Sequence, residues 1–160
     1  MPQVHLASMT EQEFEAFLAF SVRDYAAEKV KAGSWLAAEA LDKSQAEFKQ
    51  LLPEGKDSKN NYLFSIFDKD KNIYVGNIWF AVSDRGGPRH AFIYDFRILD
   101  EFQGQGYGTQ AMLAIEAEVQ KRGLDTISLH VFGHNHVARH LYEKVGYQTT
   151  DLMMTKHVGS

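Results

Sequence analysis

Residues 103–108 read Gln103-Gly104-Gln105-Gly106-Tyr107-Gly108, and the segments on either side of them decide the fold. Upstream, His90 to Ile98 (HAFIYDFRI) is a run of aromatic and β-branched residues, the composition of a strand. Downstream, Thr109 to Arg122 contains neither Gly nor Pro and places Met112, Ile115 and Val119 at helical spacing. The three glycines therefore stand where a strand becomes a helix. The first N–H groups of a helix have no intrahelical partner, and the helix dipole favours an anion there. Glycine lets phosphates approach those groups without a Cβ in the way. The pattern predicts a phosphate cradle.

Spacing narrows the kind of cradle. A dinucleotide fingerprint needs a further glycine at position 109, where Thr109 stands. A P-loop needs Gly-Lys-Ser/Thr after four variable residues, and the chain has no such run. What remains is Gln-x-x-Gly-x-Gly. A second pattern follows the apolar run Thr126 to Phe132 (TISLHVF): Asn135, Ala138, Tyr142, Gly146 and Tyr147 form Asn-x-x-Ala-x-x-x-Tyr-x-x-x-Gly-Tyr. In this order and at this separation, the two patterns resemble the signatures of the GNAT (GCN5-related) N-acetyltransferases. The likeness covers Ile93 to Tyr147 and is nearest to small uncharacterised bacterial members.

The resemblance implies an α/β fold, a mixed and mostly antiparallel sheet with helices on both faces and a splayed parallel strand pair. It implies acetyl-CoA as cosubstrate. The pyrophosphate would lie on Gln103, Gly104, Gln105, Gly106, Tyr107 and Gly108. The pantetheine arm would follow the backbone of Phe96, Arg97 and Ile98. Asn135 would reach the cofactor while capping the last helix. Tyr142, two helical turns on and so on nearly the same face, would protonate the departing thiolate. Histone-type members carry a Glu where this chain has Phe92. Asp95, the carboxylate within that strand, is the candidate to position or deprotonate the amine, with a structural Asp95–Arg97 ion pair as its rival.

At 160 residues the chain is expected to form a single domain over 1–160, with 44% hydrophobic residues and eleven Phe. It has no cysteine, hence no disulfide framework and no thiol nucleophile. A net charge of −4 argues against a nucleic-acid partner. No apolar run reaches the ~18 residues of a membrane span, and the N-terminus lacks the pattern of a secretory signal, so a cytoplasmic location is expected. His136 and His140 stand four apart, a spacing seen at zinc sites, but Val-Ala-Arg between them supplies no Glu base; no metal is expected. His130 is a candidate proton relay.

Along the chain, Val4 to Ala7 reads as a short strand. Thr10 and Glu13 form a capping box for a helix running to about Lys31, and Ser34 caps a second helix that stops before Pro53. Strands 61–67 and 73–82 form a hairpin leading to 90–98. A helix follows over 108–122, then a strand over 126–132 and a helix ended by Gly146, with closing strands within 147–158. The leading expectation is transfer of acetyl to a primary amine of a small molecule or peptide, with a homodimer left open. The rivals are a non-catalytic acyl-CoA-binding or sensing domain and a zinc-dependent hydrolase.

Overall fold

The computed structural model describes residues 1–159. Five strands lie in sequence order across one sheet: β1 (Val4–Ser8), β2 (Asn61–Asp68), β3 (Ile73–Ser83), β4 (His90–Ile98) and β5 (Ile127–Leu129). The first four pair antiparallel, β2 with β3 and β3 with β4 through short turns and β1 with β2 across two intervening helices, and β5 pairs with β4 in parallel. Helices α1 (Glu11–Lys31) and α2 (Ala37–Leu51) precede β2, α3 (Tyr107–Lys121) joins β4 to β5, and α4 (His136–Lys144) follows β5. The strand that leads into the glycine loop has the bounds read from the sequence.

Two apolar clusters sandwich the sheet. On one face Phe64, Ile66, Val75, Ile78, Phe80 and Ile93 meet Ala111, Met112, Ile115 and Val119 of α3. On the other, Leu63 and Trp79 meet Phe14 and Phe17 of α1 and Phe48 of α2. This is the mixed sheet with helices on both faces that the sequence predicts.

Four local expectations are corrected. Helix α2 starts after Leu36 rather than at Ser34, because Ser34 N–H still closes the end of α1 on the Lys29 carbonyl at 2.9 Å. The Glu39 carboxylate then accepts from Leu36 N–H at 3.3 Å, so the new N-terminus is capped from its third residue. The stretch Glu54 to Asn60, a loop by its polar composition, contains a single 3-10 turn, Gly55–Asp57. The strand expected over 126–132 pairs only at 127–129, because beyond Ile93 its neighbour β4 diverges from it. No strand forms within 147–158: α4 ends in a Schellman turn, with Gly146 at φ 105° and Tyr147 N–H on the Tyr142 carbonyl at 2.9 Å, and the residues beyond it are exposed and unpaired.

One bulge positions the site. Phe80 faces Ile93 but Trp79 faces Asp95, so Tyr94 is an extra residue in β4. The insertion reverses the parity of inward-facing residues. Ala91 and Ile93 before it, and Phe96 and Ile98 after it, pack toward α3. Tyr94 stacks on Trp79 at 4.8 Å on the opposite face, which sends Asp95 and Arg97 toward α1.

Candidate active site

The glycine loop is shaped by its own polar groups. Gln103 Nε2 donates to the Ile98 carbonyl (2.9 Å) and to Asp100 (3.3 Å), and Gln105 Nε2 donates to the Glu101 carbonyl (3.0 Å). Gly104 and Gly106 adopt left-handed φ values of 75° and 93°, open to glycine without steric penalty. Among the described residues, the six N–H groups from Gly104 to Thr109 have no hydrogen-bond acceptor, backbone or side chain. A Cβ at Gly104 would meet nothing within 4 Å. Six free donors at the positive end of a 15-residue helix, with open space at Gly104, suit a diphosphate.

Tyr107 plays a different part from its neighbours. Its side chain is 3% exposed, lies in the core, and donates its hydroxyl to Asp68 at 2.5 Å. Asp68 also accepts from the N–H groups of Asp70 and Lys71, at 2.9 and 2.8 Å. These bonds hold the Asp68 carboxyl below the usual range, the Tyr107 bond foremost, and raise the Tyr107 phenol. The start of α3 is thereby tied to the β2–β3 turn. With the side chain committed to the core, Tyr107 has only its unpaired backbone N–H to offer the cradle. A second close approach fixes β4: a Cβ on Gly76 would lie 2.1 Å from the Arg97 carbonyl oxygen, so glycine is required where β3 passes that residue.

A cavity of about 1060 Å³ runs from the cradle, through the gap between β4 and β5, to the face covered by α1 and α2. Phe96, Arg97 and Ile98 line it on one side and His130 to Phe132 on the other. Tyr142, from α4, borders the gap, its ring 6.4 Å from Phe96. Burial, with help from the charge of Asp95, pushes its hydroxyl pKa up to about 12, so the phenol keeps its proton. Asn135 caps α4, its side-chain oxygen accepting from Ala138 N–H at 3.2 Å, which leaves its amide free toward the cavity.

Asp95 makes no ion pair with Arg97. The Arg97 guanidinium instead stacks on Phe20, 3.3 Å from the ring centre. Desolvation pushes the Asp95 carboxyl up to about 6; hydrogen bonds from Ser21 and Phe96 N–H oppose the shift, while nearby Asp24 reinforces it. Asp24 is itself raised, by burial and by Glu28. Glu28 is hydrogen-bonded to His134 across the cleft, and Glu47 also lines this half. Burial lowers the pKa of His130, so it is neutral at pH 7. No group of three His, Cys, Asp or Glu is placed to share a metal ion among the described residues. His136 and His140 are both exposed on α4, and no described helix is long and apolar enough to cross a membrane.

The sequence profile of the acetyltransferase (GNAT) family matches residues 22–147. The chain belongs to the GNAT family. It is 39% identical to the uncharacterised N-acetyltransferase YycN of Bacillus subtilis over 96% of this chain and 97% of that one. The crystal structure of YycN superposes with a TM-score of 0.92, covering 99% of this chain and 100% of the other. A second uncharacterised B. subtilis N-acetyltransferase, YdgE, is 35% identical over the same shares. The fold also matches an acetyltransferase of Clostridium acetobutylicum described with acetyl-CoA, at 14% identity and a TM-score of 0.63 over 98% of this chain and 97% of that one. GNAT acetyltransferases use acetyl-CoA, and the free donors of the cradle fit its diphosphate.

Sequence reasoning missed the acidic face of this GNAT cleft. Ser21, Asp24 and Glu28 repeat at intervals of three and four along α1 with Phe17, one stripe of the helix. That stripe could have been read. The Tyr94 bulge, which turns Asp95 toward it, carries no sequence signal.

Proposed function

We propose that this chain transfers acetyl from acetyl-CoA to a primary amine of a cationic acceptor, small molecule or peptide, by direct attack. The observation that carries the reading is the continuity of one cavity, from the free N–H groups of the cradle past Tyr142 to a cleft lined by Asp24, Glu28, Glu47 and Asp95. Bound acetyl-CoA supplies a thioester carbonyl carbon open to a neutral amine. The chain's own groups do the rest. The Gly104–Thr109 amides hold the diphosphate, and the free edge of β4 at Phe96–Ile98 holds the arm.

A primary amine arrives protonated, with a pKa near ~10. The carboxylates and the rings of Trp79, Tyr94 and Phe132 hold that cation, and Asp95, directly or through water, takes its proton. The C–N bond then forms and the C–S bond breaks. The Tyr142 phenol donates a hydrogen bond to the sulfur. Its pKa of about 12 lies above the ~8.5 of a thiol, so equilibrium favours that hydrogen bond over complete transfer; the second proton, lost by the nitrogen once the C–N bond has formed, neutralises the thiolate, and Asp95 passes the first to solvent.

The test is thiol release from acetyl-CoA with a panel of amines. Turnover is expected with di- and polycationic amines and much less with neutral or anionic ones. Tight acetyl-CoA binding with no thiol release from any amine would instead favour the non-catalytic binding or sensing reading.

A further inference from the structure

A second cavity, of about 440 Å³, lies where β3 ends and β4 and β5 begin, bordered by the turn 84–89. Its floor belongs to the sheet face that α1 and α2 cover elsewhere. Ala91 and Ile93 pack toward α3, so Phe92 between them points the other way. His90, its partner Ser83, and Ser128, the partner of Phe92, share that face. No residue of α1 or α2 lines this trough, and Tyr94 at its inner end is left 40% exposed. Phe92 and Tyr94, with ring centres 4.9 Å apart, line both this trough and the main cavity, so the trough adjoins the acidic cleft.

The charge changes sign along that path. Asp24, Glu28, Glu47 and Asp95 line the main cavity, whereas no Asp or Glu lines the trough. Arg85 does line it, and its guanidinium has no ion pair among the described residues. Ser83 Oγ accepts from the Arg85 N–H at 3.0 Å, which leaves its own hydroxyl hydrogen to donate. His90 Nδ1 donates to the Pro88 carbonyl at 2.8 Å and steadies the turn that carries Arg85.

We propose that the trough receives the terminal carboxylate of a short peptide whose amino end lies among the carboxylates of the main cavity. The inference deepens the acetyl-transfer reading and rests on it for the choice of the amino end as acceptor. A guanidinium presents two parallel N–H donors that match the two oxygens of a carboxylate, and the Ser83 and Ser128 hydroxyls add donors beside it. Spacing sets the length. Asp95 is three residues along β4 from Phe92, opposite Ser128, and five from His90, opposite Ser83. At ~3.3 Å per residue, amine and carboxylate stand about 10–16 Å apart. An extended tetrapeptide spans about 13 Å. The rings of Phe92 and Tyr94 lie between the two ends and offer apolar contact to its side chains.

Calorimetric titration of the full chain with Lys-Ala-Ala-Ala, as free acid and as C-terminal amide, tests this alongside thiol release from acetyl-CoA. The acid should bind at least about fivefold more tightly than the amide. Arg85→Ala should bring that ratio close to one, and Arg85→Lys should keep part of it. Arg85 stands in an exposed turn, so both variants are expected to fold. With Lys-Ala, which spans only about 7 Å, acid and amide should bind alike. A dipeptide ratio as large as that of the tetrapeptide would place the carboxylate on Lys29 or Arg97 inside the main cavity and overturn the proposal. So would a tetrapeptide ratio that survives Arg85→Ala. Tighter binding of Lys-Ala-Ala-phosphoserine amide than of the acid would overturn it too, making the trough a phosphate site. A preference for the acid without thiol release supports the trough and counts against acetyl transfer. Thiol release with acid and amide bound alike overturns the trough and leaves acetyl transfer standing.

Discussion

The two halves of the cavity are built from different materials. The cofactor half is made of backbone: free N–H groups at Gly104–Thr109 and the open edge of β4. The half we propose for the acceptor, the acceptor half, is made of side chains gathered from α1, α2, β4 and the segment after β5. Backbone donors depend on a local turn, so their site is contiguous and recognises a group common to every reaction of its class. A side-chain cleft assembled from distant segments can be changed one residue at a time, which is where specificity is set.

Removing a chemical group from the boundary between the halves should have the largest effect. Tyr142→Phe deletes only the hydroxyl that we propose donates to the sulfur, so turnover should fall by about 10²–10³-fold, with acetyl-CoA affinity nearly unchanged. Single-turnover kinetics with calorimetry would check this. Equal losses in binding and turnover would make Tyr142 part of the cofactor half instead.

The acceptor half should respond to pH through Asp95. Its carboxyl is raised from 3.8 to about 6, so the folded state binds this proton more tightly than the unfolded chain. The resulting cost to folding is absent below pH 3.8, grows between pH 3.8 and 6, and is complete above 6. Asp95→Asn removes it and should leave stability at pH 7 equal or higher, by on the order of 1–3 kcal/mol at most. In wild type, kcat/KM for a cationic amine should rise with pH through about 6, as the carboxylate forms beside Asp24, Arg97 and Tyr142. The variant should lose that limb and about tenfold or more in kcat/KM. A thermal melt and a pH–rate profile together decide it. A destabilised variant with an intact limb would assign Asp95 to structure alone.

A smaller effect should come from the anchor beneath the cradle. Tyr107→Phe removes the bond to Asp68 but no group that faces ligand. One hydrogen bond of ~0.5–1.5 kcal/mol corresponds to about 2–10-fold, expected in KM for acetyl-CoA with kcat and acceptor KM retained. An equal rise in acceptor KM would blur the division between the halves.

The sequence showed these halves unequally. The strand–glycine–helix passage at 90–122 was legible because turn chemistry and periodicity are local, and the cap at Asn135 and the stop at Gly146 were legible for the same reason. Tyr107 was read with its glycine neighbours as part of the cradle, and nothing near it in sequence points to Asp68, 39 residues away. Ser34 looked like a cap, but the end of α1 had already taken its N–H. The acceptor half depends on one bulged residue, Tyr94, and on where α1 crosses the sheet, both settled by tertiary packing. The segment 147–158 has the composition of a strand, yet a strand also needs a partner, and within this chain it has none.

The claim that free backbone amides hold the cofactor is tested most directly at Gly104. A Cβ there meets no protein atom within 4 Å beyond its chain neighbours, so a substituent points into open space where a ligand in the cradle would be displaced, beyond a backbone cost at φ 75° of about 1–2 kcal/mol. Calorimetric titration of folded Gly104→Val with acetyl-CoA should show affinity at least tenfold weaker, about 1.4 kcal/mol or more. Affinity equal to wild type in a folded Gly104→Val would contradict the account, because the diphosphate would then have to lie elsewhere.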